Sequence, residues 1–106
     1  MRDVLFATNS AVIKNGFSPL LERLKDWCIQ NENRLLMIVG HCDNTGSNEL
    51  NEKLSQQRAE SIMNYLISKG VKNKIHCFGK GAREPLNSNV TEKDKQANRR
   101  VECYFN

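Results

Sequence analysis

The sequence predicts an α/β sandwich, in which two main helices cover a mixed four-stranded sheet. Short apolar runs alternate with two longer segments of helical period, a pattern that favours parallel strands joined by right-handed crossovers. The last apolar run follows a polar loop instead of a helix, so its strand is expected to be antiparallel. The chain of 106 residues is 39% apolar and 26% charged, which suits one small domain with one core. The predicted order is β-α-β-α-β-loop-β.

The first two elements are a strand over residues 3–7 and a helix that begins at Pro19. Ser18 is a suitable N-cap, and proline suits the first helical position because it has no backbone N–H to leave unpaired. Apolar residues then recur at helical spacing, and the helix is expected to end near residues 31–33. These apolar residues are Leu20, Leu21, Leu24, Trp27 and Cys28.

A nearly continuous apolar run, residues 34–41, predicts a central strand buried on both faces. A second helix should then run from about Glu49 to Lys69. Ser47 or Asn48 can cap it, and Gly70 should end it. Its apolar face is expected to consist of Leu50, Leu54, Ala59, Ile62, Met63 and Leu66.

The last two strands are predicted at residues 73–79 and 99–105, on either side of a long polar loop over residues 80–97. No internal repeat or linker interrupts the pattern. The chain starts with no apolar signal segment, and a strand begins almost at Met1. We therefore expect residues 1–106 to be a single domain of a longer protein.

The net charge of +4 and the pI near 9.0 are compatible with an anionic partner. The basic residues are scattered, however, and the densest group is Arg99 and Arg100 with Lys93 and Lys95. A solvated surface explains this distribution better than a nucleic-acid site, so no nucleic acid is expected. No run is long enough to span a membrane.

The four cysteines and two histidines raise the alternative of a zinc or thiol hydrolase. No cysteine pair has C-x-x-C spacing, and neighbouring residues on a strand point to opposite faces. The two dipeptides, His41-Cys42 and His76-Cys77, could therefore give one metal at most one residue each. Core cysteines and structural histidines are favoured, and no cofactor is expected. The even number of cysteines allows disulfides, although their wide spacing does not argue for them.

Arg58 is the charged residue that fits a surface position least well. It lies four residues from both Leu54 and Ile62, which places it on the sheet-facing stripe of the second helix. Its side chain should lean toward the helix N-terminus. Asp43 and, on an antiparallel last strand, Arg99 should reach the same sheet edge, where open α/β sheets bind ligands. Spacing alone leaves a structural salt bridge and a ligand site equally open.

Several motifs resemble the outer membrane protein A C-terminal domain family, which includes peptidoglycan-associated lipoproteins and flagellar stator proteins. They are VLFATNSAVI, IVGHCDNTGSNELNEKLSQQRAESIMNYLISKGV, CFGKGAREPLNSN and ANRRVE. The resemblance covers almost the entire chain, with the motifs in the same order. It implies non-covalent, non-enzymatic binding of peptidoglycan through the diaminopimelate of the peptide stem.

Carried over by motif, Asp43 would take the ammonium of diaminopimelate and Arg58 its carboxylate. A guanidinium suits this because it offers two parallel donors. The family pattern adds polar lining residues, an apolar wall at Leu54, and His41 in a structural role. The polar lining would be Thr8, Asn9, Thr45, Asn51 and Arg99. Cys42 departs from the family, which usually has threonine there, and a thiol is the poorer hydrogen-bond donor.

The resemblance also implies the cellular setting. We expect the periplasm, at the outer membrane or cell envelope of a Gram-negative bacterium, where the domain would anchor its parent protein or the outer membrane to the cell wall. Membrane contact would come only through parts of the parent protein outside this chain. A flagellar stator or secretion-system anchor built on the same module is the alternative, and a homodimer is left open.

Overall fold

Two helices and a mixed sheet form the architecture of the computed structural model, which describes residues 19–42, 47–81 and 100–106. The elements in chain order are α1 Pro19–Gln30, β1 Leu36–Gly40, α2 Asn48–Ser68, β2 Ile75–Gly79 and β3 Val101–Phe105. The strand predicted at residues 3–7 and most of the polar loop lie outside the described residues.

The sheet has the order β2-β1-β3, with β1 in the centre. β1 is parallel to β2 and antiparallel to β3, so both predicted strand directions are confirmed. The described residues form three strands where the sequence predicted four. The mixed sheet agrees with the predicted connections, because helix α2 links β1 to β2, whereas the segment between β2 and β3 was predicted from the sequence to contain no such crossover helix.

The core lies between one face of the sheet and the two helices. Leu36 and Ile38 of β1 are fully buried, as expected for a central strand. The residues buried with them are Leu21, Cys28, Ala59, Ile62, Leu66, Val71 and Val101. On α1, Leu20 and Trp27 belong to the apolar residues at helical spacing but do not share this burial: both are partly exposed. Trp27 packs on the Phe105 ring, with ring centroids 3.8 Å apart.

The prediction that Leu50 belongs to the buried apolar face of α2 is wrong, because 65% of Leu50 is exposed. The buried positions in the first half of this helix are instead polar, namely Asn51, Ser55 and Arg58. The reason is that this half of α2 faces the glycine ends of the strands and a polar site, while Ile62 and Leu66 in the second half face the apolar core.

Both ends of α2 form as the sequence predicted. The Ser47 hydroxyl accepts a hydrogen bond from the Leu50 N–H at 3.2 Å, which makes Ser47 the N-cap. Gly70 has a φ of 91°, a left-handed conformation that glycine adopts without steric cost. The N–H of Val71 then bonds back to the Leu66 carbonyl at 3.1 Å and closes the helix.

Candidate functional site

Helix α2 packs directly on the carboxyl ends of β1 and β2, where two glycines make the approach possible. Gly40 and Gly79 are paired across the two strands. A Cβ atom at Gly40 would overlap the main-chain carbonyl of Ser55, and one at Gly79 would overlap the main-chain N of Gln56. The two glycines therefore set the distance between α2 and the strand ends.

Ser55 connects the helix to the loop that follows β2. Its hydroxyl donates to the Glu52 carbonyl at 2.8 Å and accepts from the N–H of Gly81, also at 2.8 Å. The Gly81 carbonyl in turn accepts from the N–H of Cys42 at 2.9 Å. These hydrogen bonds connect α2, through Ser55 and Gly81, to the segment that follows β1.

Arg58 also lies beside the segment that follows β1, and it is almost completely buried, with 1% of the residue exposed. Its Nη1 lies 3.8 Å from the sulfur of Cys42, the second residue after β1. The Cys42 thiol donates to the main-chain carbonyl of Asn51 at 3.4 Å. The predicted sheet-facing position of Arg58 is therefore confirmed, and the guanidinium is held at the carboxyl end of the central strand.

Asn51 lies two turns before Arg58, on the same buried side of α2. Its Nδ2 is buried and has no hydrogen-bond partner among residues 19–42, 47–81 and 100–106. A buried amide normally has a partner, because leaving it unsatisfied costs about 1–3 kcal/mol. Leu54, on the same helix, is half-buried.

A second group of charged residues joins β1 to β3. One Glu102 oxygen lies 3.0 Å from Nε2 of the buried His41 and accepts from Nε of the buried Arg100 at 2.8 Å. The Tyr104 hydroxyl donates to the other oxygen. Burial raises the pKa of Glu102, but the hydrogen bonds from Tyr104 and Arg100, together with the nearby charges of Arg100 and His41, outweigh it, so the pKa is lowered overall.

The structure thus brings together two of the predicted site residues, Arg58 and Asn51, with Leu54 on the same helix. The other predicted ligand residues lie outside the described residues: Thr8, Asn9, Asp43, Thr45 and Arg99. Sequence reasoning missed the contact between Cys42 and Arg58 and the partners of Glu102. The glutamate of ANRRVE was the available signal.

The two His-Cys dipeptides do not converge. His76 is exposed, whereas Cys77 packs against the core. Within the described part of the chain, no group of three His, Cys, Asp or Glu residues is placed to hold a metal ion. The four cysteines, all of them within the described residues, form no disulfide with one another. None of the helices described is both long enough and apolar enough to cross a membrane.

Fold and site together define a class of small α/β domain whose second helix holds a buried arginine against the end of the central strand. The family model described as "OmpA family" matches residues 5–99, so the chain belongs to the OmpA family.

Curated relatives agree with this assignment. "Outer membrane protein A" of Bordetella avium is 35% identical over 94% of this chain and 52% of its own length. "Probable lipoprotein YiaD" of Escherichia coli is 36% identical over 94% of this chain and 46% of its own length. The chain therefore spans about half the length of these curated relatives.

Solved structures share the fold over nearly all of the chain. The peptidoglycan-associated lipoprotein of Burkholderia pseudomallei has a TM-score of 0.90 at 25% identity, covering 100% of this chain and 91% of its own. The cell wall anchor of the Pseudomonas aeruginosa T6SS has a TM-score of 0.79 at 32% identity, covering 95% and 73%. The C-terminal domain of Helicobacter pylori MotB has a TM-score of 0.83 at 25% identity, covering 97% and 82%.

Proposed function

We propose that this domain binds peptidoglycan non-covalently, through the diaminopimelate of the peptide stem, and anchors its parent protein or the outer membrane to the cell wall. The observation that carries the proposal is the guanidinium of Arg58, buried at the carboxyl end of β1. A planar, permanently charged fork in a dry site is suited to a carboxylate. Family membership supports this use of the site.

In the proposed complex, Arg58 pairs with the carboxylate at the free end of diaminopimelate, and Asp43 pairs with the ammonium. Asp43 follows Cys42 in the sequence, and Cys42 contacts Arg58, so the two opposite charges belong to neighbouring parts of the chain. The buried Asn51 amide provides a further donor. Thr8, Asn9, Thr45 and Arg99 complete the polar lining, and Leu54 forms an apolar wall.

The names of the structural neighbours support anchoring as the biological role. One is a peptidoglycan-associated lipoprotein and another is the cell wall anchor of a secretion system. We place the domain in the periplasm of a Gram-negative bacterium, at the outer membrane or cell envelope. Its role there is binding without catalysis, and any membrane contact comes from other parts of the parent protein.

A second candidate is the anchor of a flagellar stator or secretion system, in which assembly of the machine regulates the same binding. The likeness to MotB and to the secretion-system anchor favours it. Both candidates use the same ligand, so they differ in the parent protein and not in the site.

The proposed ligand predicts a dependence on the third residue of the peptide stem. Lysine has the side-chain ammonium but lacks the carboxylate that Arg58 would bind, and an unmet buried polar group costs about 1–3 kcal/mol. We therefore expect the domain to sediment with diaminopimelate-type sacculi and much less with lysine-type sacculi. Equal sedimentation with both would contradict the proposed ligand.

A further inference from the structure

We propose that Glu102 is a positioning residue for the binding site, acting through His41 and Cys42 on the guanidinium of Arg58. The proposal rests on the proposed function, in which Arg58 meets the ligand. Glu102 is not expected to touch the ligand itself.

The register of β1 and β3 explains how Glu102 reaches His41. Glu102 is directly opposite Val39, and the pairing continues past Gly40 through a hydrogen bond from the His41 N–H to the Arg100 carbonyl at 2.8 Å. Side chains alternate along a strand, so His41 is on the same face as Val39. It is therefore the diagonal neighbour of Glu102, within reach of a long side chain.

One carboxylate oxygen thereby connects the residue that follows the end of β1 with the residue that precedes the start of β3. It lies 3.0 Å from His41 Nε2 and 2.8 Å from Arg100 Nε. His41 and Arg100 are both buried, so neither side chain can readily move to a new partner in solvent. The contact holds the end of β1 and the start of β3 in a single arrangement.

Cys42 carries this arrangement to Arg58. It follows His41 directly, its N–H bonds to the Gly81 carbonyl at 2.9 Å, and its sulfur lies 3.8 Å from Arg58 Nη1. A shift of His41 would move Cys42 and change the surface against which the guanidinium rests. The two residues next in sequence, Asp43 after Cys42 and Arg99 before Arg100, are the other charges assigned to the ligand.

Glu22 offers a closely matched control. Its carboxylate accepts from Lys25 Nζ and from the Tyr65 hydroxyl, both at 2.8 Å. Its side chain is 31% exposed, compared with 27% for Glu102, and its pKa is also lowered, chiefly by the Lys25 hydrogen bond. Glu22 lies on α1, and its hydrogen-bond partners Lys25 and Tyr65 are outside the proposed site. Loss of either carboxylate removes a tyrosine hydrogen bond and a cationic partner.

The test compares Glu102→Ala, Glu102→Gln, Glu102→Asp and Glu22→Ala in the whole chain, by calorimetric titration with a diaminopimelate-containing stem tripeptide. We expect Glu102→Ala to lose at least about tenfold in affinity, because His41 and Arg100 lose their shared acceptor. Gln keeps an acceptor oxygen in place and should stay within about threefold. Asp withdraws the carboxylate by about 1.5 Å and should fall below Gln. Glu22→Ala should bind like the wild type.

Wild-type affinity in a folded Glu102→Ala, or an equal loss in Glu22→Ala, would overturn the proposal. If Glu102→Ala does not fold, the comparison of Asp with Gln decides, and equal affinity of these two would overturn it.

An NMR measurement without ligand separates this proposal from the proposed function. The side-chain Nε–H signal of Arg58 and the amide signal of Cys42 should shift in Glu102→Ala and Glu102→Asp but not in Glu22→Ala. If the wild type fails to bind the tripeptide, the proposed ligand is wrong and these signals still decide the positioning role. Unchanged signals in a folded Glu102→Ala would reject it.

Discussion

At Arg58, burial fits two interpretations that differ in what the guanidinium is for. A buried cation needs partners whether it stabilises the fold or binds a ligand. Because only 1% of Arg58 is exposed, its burial does not distinguish the two roles, and the identity of its charged partner does. Lysine in place of arginine keeps the charge and removes the planar fork, so it tests geometry separately from charge.

We expect Arg58→Lys to reduce affinity for a diaminopimelate-containing peptide by at least about tenfold, roughly 1.4 kcal/mol. A single ammonium cannot pair with both oxygens of the ligand carboxylate. Calorimetry measures the affinity, and thermal melts measure the stability. Arg34→Lys is the control, because Arg34 lies over the Trp27 ring at 5.9 Å on another part of the domain. Wild-type affinity in Arg58→Lys would reject the ligand role. A large fall in Tm together with unchanged affinity would favour a structural ion pair.

Cys103 is expected to be chemically inert in the folded protein. Burial raises its pKa from 9.0 to about 12, and burial also raises the pKa of Cys28 and Cys77. Only the thiolate reacts with alkylating reagents. At pH 8 the thiolate fraction of Cys103 should therefore be about a thousandfold below that of an ordinary thiol.

Iodoacetamide labelling followed by peptide mass spectrometry tests this expectation. Cys103 should be labelled quickly in urea and very slowly in the folded chain, with the urea sample as the control for reagent activity. Rapid labelling of Cys103 in the native state would show that the thiol is not held as described.

At the scale of the elements, the contact between α2 and the strand ends depends on having no side chain at Gly40. The atom in the way is the main-chain carbonyl of Ser55, which cannot turn aside as a flexible side chain would. The helix would have to move away from β1, and Arg58 and Asn51 would move with it. The stability of the domain and the position of the site residues on α2 therefore both require that residue 40 has no side chain.

We expect Gly40→Ala to destabilise the domain by about 3 kcal/mol or more, at the upper end for overpacking, because backbone must shift. In a domain of this size that corresponds to a fall in Tm of roughly 12–24 °C. Thermal melts followed by circular dichroism measure it. Gly70→Ala is the matched control, because an added Cβ there meets nothing within 4 Å and only the φ of 91° is strained. That strain costs about 1–2 kcal/mol. Similar melts for Gly40→Ala and wild type would contradict the packing described.

At the scale of the whole molecule, the placement of His41 and Cys42 bears on catalysis. The His41 ring faces Glu102 of β3, whereas the Cys42 thiol contacts α2. The two side chains are directed to different elements, so this histidine is not placed as the base for this thiol. A nucleophile needs its base within hydrogen-bond reach.

We therefore expect the purified domain to release no soluble muropeptides from sacculi, measured by chromatography of the supernatant after prolonged incubation. A muramidase supplies the positive control. Release that disappears in His41→Ala or Cys42→Ala would overturn the binding-module interpretation and favour the hydrolase.

Much of this architecture was accessible from the sequence because it depends on local signals. The helical period of the apolar residues located α1 and α2, and a continuous apolar run located β1. The capping chemistry of Ser47 and Gly70 located the ends of α2. Connection rules predicted the directions of β2 and β3 relative to β1. The same helical period placed Arg58 on the buried side of α2, since positions along one helix are related by a fixed rotation.

The tertiary structure alone decided how separate elements meet. Leu50 was expected in the core, but the strand ends opposite the first half of α2 are glycines and polar groups, and Leu50 is exposed. The pairing of His41 with Glu102 joins residues far apart in the chain. It depends on the register between β1 and β3, which the pattern of residues within either strand does not specify. Local periodicity specifies which side of an element is buried, whereas contacts between elements follow from the packing of the whole domain.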